Sequence, residues 1–363
     1  MKKIVVAGVP EAFSQPVIDT IEHLKSQGYD IQFIVAGKGT NQMMAWLKDG
    51  TADIALPLTE GCVKALTSQT MEGTNTAEQG GSEIISQLTT TPLRWGVHVK
   101  PNSELDSVED LQERLRDSPE SVTYIVSGPN SGSANISRAS TKEWGIPQET
   151  LNMRVVGKID QLQASMRVVP EGQEEVLLWN HQTTHHLTTN SGNENADFKR
   201  IGDYEPEWLA FVVAARKDLT QEHPEFVKLF LETLAQKNQE LTKERATSKE
   251  FVDKWFGGDE QEAISWYETT TFSNQNYTAE ELQKDFEKIV AAGIITPEKA
   301  SGVQVERILG NLDKSIAAKR QKAFSTAANA GNRQQSTAVA AANTPLFRAR
   351  QAAAKQTAPK VGR

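Results

Sequence analysis

One stretch of the sequence is built to meet an anion: Ser127-Gly128-Pro129-Asn130-Ser131-Gly132-Ser133. It runs from the end of an apolar, β-type segment through glycines and hydroxyls into a helical pattern. The amides of a first helical turn and the positive end of its dipole would there face a carboxylate, sulfonate or phosphate. No Gly-Lys-Ser/Thr follows, so the stretch is not a P-loop. An ordinary polar turn with Ser133 as helix N-cap is the competing reading. Thr40 and Thr59 each offer a hydroxyl from elsewhere in the chain, or a plain helix cap. Trp95, Trp179 and Trp208 fall at predicted strand ends or crossings, where an indole gives an organic ligand an apolar wall and an N–H donor. Asn180 and His181 follow Trp179 directly. Glu11 and Glu60 could orient a cationic group or act as a base, or lie on the surface.

His181, His185 and His186 are three of the six histidines. His181 and His185 have the i, i+4 spacing of two zinc ligands on one helix face. However, no Glu follows His181 as the metalloprotease motif requires, and Thr183-Thr184 disfavours a helix. They read as solvated or hydrogen-bonded histidines, with no metal. Cys62 is the single cysteine, which excludes an intramolecular disulfide and a zinc site built on several thiolates. With no sequence-local base beside it, it reads as a buried structural thiol rather than a nucleophile.

The elements that must position these residues follow from hydrophobic periodicity. Ile4 to Val9 is a strand, Val17, Ile18, Ile21 and Leu24 mark a helix, and Ile31 to Val35 is a second strand. Thr40 opens a helix presenting Met43, Met44 and Leu47 and stopped by Gly50, and Asp53 to Pro57 is a third strand. Strands separated by helices imply parallel pairing and an α/β fold. Thr70 to Thr91 reads as a polar link. A second α/β set follows: strands at Leu93–Val99, Val122–Ser127, near Val155 and Val176–Trp179, with helices after Ser107, after Ser133 and around Ile159 to Met166. Leu209 to Ala215 is one more strand, and helical patterns around Phe226–Leu234, Phe251–Phe256 and Leu282–Val290 close the body. The second set is thus inserted into the first. The expected organisation is one lobe from 1–92 with 205–313, an inserted lobe from 93–204, and crossings at Pro92–Trp95 and Gly202–Pro206. Ligand sites favour the cleft between such lobes. Within it, the strand carboxyl ends select Pro10–Phe13, Gly37–Thr40, Leu58–Glu60, Ser127–Ser133 and Trp179–Thr184.

Composition narrows the function class. The chain has 363 residues, 38% hydrophobic and 24% charged, with a net charge of −8. Residues 314–363 carry ten Lys or Arg and no acid, leaving 29 basic against 47 acidic residues before them, a net −18. An acidic body is not a specific nucleic-acid reader, since phosphate affinity needs a basic face. The tail's Ala, Gln, Ser, Thr and Asn content reads as disordered, with no assignable partner. No run approaches the ~20 apolar residues of a membrane span. Ile4 to Val9 is shorter than the ~7–15 residues of a signal-peptide core. A cytoplasmic location is the resulting expectation.

At these segments the chain resembles the type 2 periplasmic-binding-protein fold, in the branch that includes binding proteins for sulfonates, taurine and thiamine pyrimidine precursors. Leu47-Lys48-Asp49-Gly50-Thr51-Ala52-Asp53-Ile54-Ala55 is similar to that branch's L-x-x-G-x-x-D-(I/V)-A signature. More closely, the chain resembles a signal-less, largely uncharacterised fungal and bacterial subfamily. Its Ser-Arg-x-Gly-Ser-Gly-Ser-His loop is matched by Ser127 to Ala134, which keeps Ser-Gly-Ser and lacks the Arg and His. Its Trp-Glu-His-Phe-Thr-Thr-Lys is matched by Trp179 to His185, without the Glu, Phe and Lys. Its Ile-Gly-Glu and later Trp are matched by Ile201-Gly202-Asp203 and Trp208. The resemblance covers roughly 1–310 and leaves the basic tail unmatched.

The resemblance implies a non-enzymatic protein without a cofactor, two lobes closing by a hinge over a small polar or anionic organic molecule. Ser131, Gly132 and Ser133 would supply donors, and Trp95 and Trp179 the walls. Two alternatives differ in class. One is an enzyme like the thiamine-pyrimidine synthases, which use pyridoxal phosphate and a histidine but carry a cysteine-rich motif that Cys62 alone cannot supply. The other is an adaptor docking an acidic partner through the tail.

Overall fold

The computed structural model describes residues 3–189 and 196–319. It opens with β1 (Ile4–Gly8), α1 (Gln15–Ser26), β2 (Ile31–Val35), α2 (Thr40–Asp49), β3 (Ile54–Ala55), α3 (Thr59–Met71) and β4 (Ser82–Gln87). Next come β5 (Trp95–Val99), α4 (Val108–Asp117), β6 (Val122–Val126), α5 (Gly132–Glu143), β7 (Met153–Val155), α6 (Ile159–Met166), β8 (Glu174–Asn180), α7 (His181–Thr184) and β9 (Lys199–Tyr204). The chain ends with β10 (Val212–Arg216) and helices α8 (Lys217–Glu222), α9 (Pro224–Glu240), α10 (Lys243–Ala246), α11 (Lys249–Phe256), α12 (Glu260–Thr269), α13 (Ala279–Ala291) and α14 (Pro297–Ala300).

Two five-stranded sheets organise these elements, one ordered β2-β1-β3-β10-β4 and the other β7-β6-β8-β5-β9. In the first, β1 pairs in parallel with β2 and β3, while β10 runs antiparallel between β3 and β4. In the second, β6 is parallel to β7 and β8, and β5 is antiparallel to β8 and β9. The chain therefore passes from the first sheet to the second between β4 and β5 and returns between β9 and β10. Arg94, on the first passage, forms an ion pair with Asp203 near the end of β9, and Arg200 donates to the same carboxylate at 2.7 Å. Burial would raise the Asp203 pKa, but the two guanidiniums hold it below the usual carboxylate range.

The α/β reading stands, and the departures have local causes. Ser82–Gln87, inside the expected polar link, is an edge strand. Its polar residues are buried because the neighbouring chain satisfies them: Asn75 Oδ1 accepts from the Ser82 amide at 2.9 Å, and Ser273 Oγ donates to Gln87 Oε1 at 3.1 Å. Gly202-Asp203-Tyr204, expected in a crossing, are the last residues of β9. The L-x-x-G-x-x-D signature is scaffolding. Gly50 takes the left-handed φ of +81° that ends α2, and Asp53 Oδ2 accepts the Val5 amide at 3.0 Å, tying β3 to β1.

Met1–Leu312 is one compact unit containing both sheets. Of the tail expected to be disordered, residues 314–319 are helical, and 320–363 lie outside the described residues. Among the described residues no helix is long and apolar enough to cross a membrane.

Candidate functional site

The loops at the carboxyl ends of β1, β2, β6 and β8 converge on a cavity of about 150 Å³. Nine of the twelve expected site residues line it: Glu11, Thr40, Trp95, Ser127, Ser131, Gly132, Ser133, Trp179 and Asn180. Three lie elsewhere. Thr59 is fully buried in the first turn of α3, where its amide donates to the Ala210 carbonyl at 3.0 Å, and its neighbour Leu58 faces the cavity instead. Trp208 is buried and donates through Nε1 to Glu60 Oε2 at 3.3 Å. His181 points away from the cavity, toward Asp203 and Glu262.

The serine loop assigns its hydroxyls differently from the expectation. Ser131, not Ser133, caps α5: its Oγ accepts from the Ala134 amide at 3.3 Å and donates to the Gly128 carbonyl at 2.8 Å. The Ser131 proton is therefore committed to the turn. Ser133 Oγ accepts from the Ser127 amide at 3.2 Å and lies 3.0 Å from Ser131 Oγ. With its acceptor role fixed, the Ser133 hydroxyl has its proton to direct either at Ser131 or into the cavity. The Ser127 hydroxyl lies 3.5 Å from Ser133 Oγ and lines the same wall. The first-turn amides of α5 have no partner inside the helix, so donors outnumber acceptors on this side.

A second helix adds to the effect. Gly39, at φ +64°, leads into α2, and Lys38, Gly39 and Thr40 all line the cavity. Thr40 Oγ1 accepts from the Leu58 amide at 3.0 Å, so this threonine fastens α2 to the start of α3. Two helix N-termini and one lysine give the cavity a positive character.

Glu11 opposes that character, and its surroundings temper it. Burial pushes its pKa up, while the Asn180 and Thr183 side chains hydrogen-bond to the carboxylate and pull the other way. Asn180 Nδ2 donates to Glu11 Oε2 at 2.8 Å, joining the second sheet's β8 to the first sheet's β1 loop. Lys64 of α3 donates to Asn135 of α5 at 3.2 Å, a second bond between the halves. Gly132 lies in a tight spot at the cavity wall. A Cβ there would stand 2.4 Å from Leu58 Cδ1 of the other half and 2.9 Å from Trp95 Cη2 of its own, so a side chain larger than glycine's has to displace them.

Glu60 and Cys62 are buried below the site in α3. Burial raises Glu60 to about 7 and pushes the Cys62 thiol far above its ordinary range, so Cys62 carries no thiolate near neutral pH. Leu93, Ile159 and Phe211 also line the cavity and were not among the selected segments. Ile159 follows the end of β7, so the strand-end rule applied to that strand would have found it. Leu93 and Phe211 carry no polar signal that sets them apart from core residues.

Two α/β halves threaded twice by the backbone, with a ligand-sized cavity between them, define the type 2 periplasmic-binding-protein fold, and this chain has that fold. Solved structures align along most of their length. The Candida albicans CA3427 gene product, described as defining a family with the generic periplasmic binding protein fold, aligns with a TM-score of 0.70 and 19% identity, covering 85% of this chain and 96% of its own. The alkanesulfonate-binding protein SsuA from Xanthomonas axonopodis pv. citri, bound to MOPS, aligns at 0.62 with 14% identity, covering 85% and 98%. The periplasmic nitrate-binding protein NrtA from Synechocystis PCC 6803 aligns at 0.57 with 13% identity, covering 87% and 88%. No family model and no curated protein matches the sequence.

Proposed function

We propose that the protein binds a small organic anion in this cavity, by hinge closure of the two halves and without chemical conversion. The acid group sits at the first turn of α5, taking donors from the Gly132 and Ser133 amides and from the Ser127 and Ser133 hydroxyls. The organic portion lies against Trp95 and Trp179. The single observation that carries this reading is the convergence of the α5 N-terminus, the serine hydroxyls and two indoles on one cavity. The sulfonate-binding and nitrate-binding proteins of the same fold support the anion class.

Size restricts the ligand. A space near 150 Å³ accommodates a molecule about as large as benzene, which suits a short-chain sulfonate or carboxylate. Micromolar affinity corresponds to about −8 kcal/mol, within the range of three charge-assisted hydrogen bonds at ~1.5–3 kcal/mol each with an apolar wall.

Native mass spectrometry of freshly purified protein should reveal a co-purifying small acid. A thermal-shift panel of methanesulfonate, taurine, propionate, nitrate and phosphate should then contain at least one stabilising anion, and the double substitution S127A/S133A should abolish its effect. Absence of any bound acid and of any stabilising anion would overturn the reading, as would a shift unchanged in the double variant.

A further inference from the structure

On the side of α7 that faces away from the cavity, two histidines of one half meet a carboxylate of the other. His181 Nε2 lies 3.3 Å from Glu262 Oε1, and His185 Nδ1 lies 3.9 Å from Glu262 Oε2. One ligand atom from each of the three residues falls within 4.8 Å of the other two. Nδ1 of His185 and Oε1 of Glu262, ligand atoms of two of the three residues, are buried and make no hydrogen bond. Glu262 is 7% exposed, so water does not relieve its deficit. Buried polar atoms without partners are uncommon and call for an explanation such as an ion.

We propose that His181, His185 and Glu262 bind one divalent late first-row metal ion of the Zn²⁺ type, which fastens α7 of the second half to α12 of the first. Bond lengths of about 2.0–2.1 Å around a tetrahedral ion place neighbouring ligand atoms about 3.3–3.4 Å apart. The His181–Glu262 pair already has that spacing. His185, whose side chain is 20% exposed, has its Nδ1 3.9 Å from the other oxygen of Glu262 and must move closer to complete the set. Each imidazole also has a carboxylate beside its other nitrogen, Asp203 at 3.6 Å from His181 Nδ1 and Asp259 at 3.4 Å from His185 Nε2. Carboxylates behind metal-bound histidines set their tautomer and orientation once hydrogen-bonded to them.

The frame is in place before any ion arrives. Asn180 Oδ1 caps α7 by accepting from the Gln182 amide, and Thr184 Oγ1 is bonded to His98 Nε2 at 3.0 Å. Asp259 Oδ1 accepts the Glu262 amide at the start of α12, and Trp266 in the same helix is fully buried. Two imidazoles and one carboxylate suit zinc, cobalt or nickel, whereas Ca²⁺ and Mg²⁺ require shells of oxygen ligands. The site lies outside the anion cavity and does not depend on what fills it.

The test uses the full chain after treatment with a chelator. Co²⁺ titration should produce the visible absorption of a low-coordinate site at one equivalent, and Zn²⁺ should displace it, while Mg²⁺ and Ca²⁺ should not. H185A and E262Q should each weaken Zn²⁺ binding by more than the ~10–100-fold typical of losing an outer-shell partner. H23A, at a half-buried histidine on α1 far along the chain from the cluster, should leave it unchanged. E262Q keeps the side chain's shape and serves where H185A fails to fold. No stoichiometric binding by the wild type, equal binding in both site variants, or loss of binding in H23A would overturn the proposal.

Discussion

Glu60 is 1% exposed in the first turn of α3 and accepts a hydrogen bond from Trp208 Nε1. Burial raises its pKa from 4.5 to about 7, against the opposing pull of its own backbone amide, Trp208 and Lys64. A carboxyl that holds its proton more tightly in the fold than in the unfolded chain stabilises the fold at acid pH. The contribution is complete below pH 4.5 and is lost as pH rises through about 7. Over that interval each pH unit removes about 1.4 kcal/mol, so the loss totals about 3 kcal/mol. E60Q keeps the volume and the oxygen that accepts from Trp208 but has no proton to lose. Urea unfolding of both proteins from pH 4.5 to 8.5 isolates the effect, because the other titrating groups are common to both. The stability of E60Q relative to wild type should rise by about 3 kcal/mol from the acid end to the alkaline end. A difference that stays flat with pH would refute the buried, proton-holding carboxyl.

G132A places a methyl group against Leu58 and the rigid Trp95 ring. Overpacking of about 1–3 kcal/mol converts at 1.4 kcal/mol per tenfold to about 5- to 150-fold weaker binding of the tightest anion in the panel, read by calorimetry. Glu11 has a raised pKa, so wild-type anion affinity should fall as rising pH ionises it, and E11Q should remove that pH dependence; calorimetry across a pH series checks both. Ser107 caps α4 by accepting from the Asp110 amide at 3.1 Å, with Asp110 returning a bond to the Ser107 amide. S107A should lower stability by about 1 kcal/mol and S107G by less, measured by urea unfolding.

What was legible in the sequence is what local pattern encodes. The parallel β1, β2 and β3 were visible because each is a short apolar run separated by a capped or glycine-stopped helix. The serine loop was visible because strand end, glycines and helix start are contiguous. Three features were not visible, for physical reasons. The buried polar residues of β4 are satisfied by Asn75 and Ser273, partners that only the fold brings near, so the strand resembled a polar link. The direction of Trp208 depends on the buried Glu60, which looked like a surface acid. The surroundings of His181 depend on Glu262, whose helix α12 has no strong apolar period, so the two could not be paired along the chain. Thr183-Thr184 was read as a helix breaker, yet Thr184 is held by His98 and the Asn180 and His181 carbonyls, and α7 forms.

The contacts around the cavity bear on the proposed hinge closure. Glu11, Leu58 and Lys64 from one half touch Asn180, Gly132 and Asn135 from the other. Exit requires the Glu11–Asn180 and Lys64–Asn135 bonds to exchange for bonds to water, which costs little because both partners become solvated as the halves part. The Arg94–Asp203 ion pair joins the start of β5 to β9 within one half, so the proposed opening does not separate it. Under the proposed closure, the bonds that must break on opening are thus weak and replaceable, and the ligand's own contacts with α5 set how long the shut form lasts.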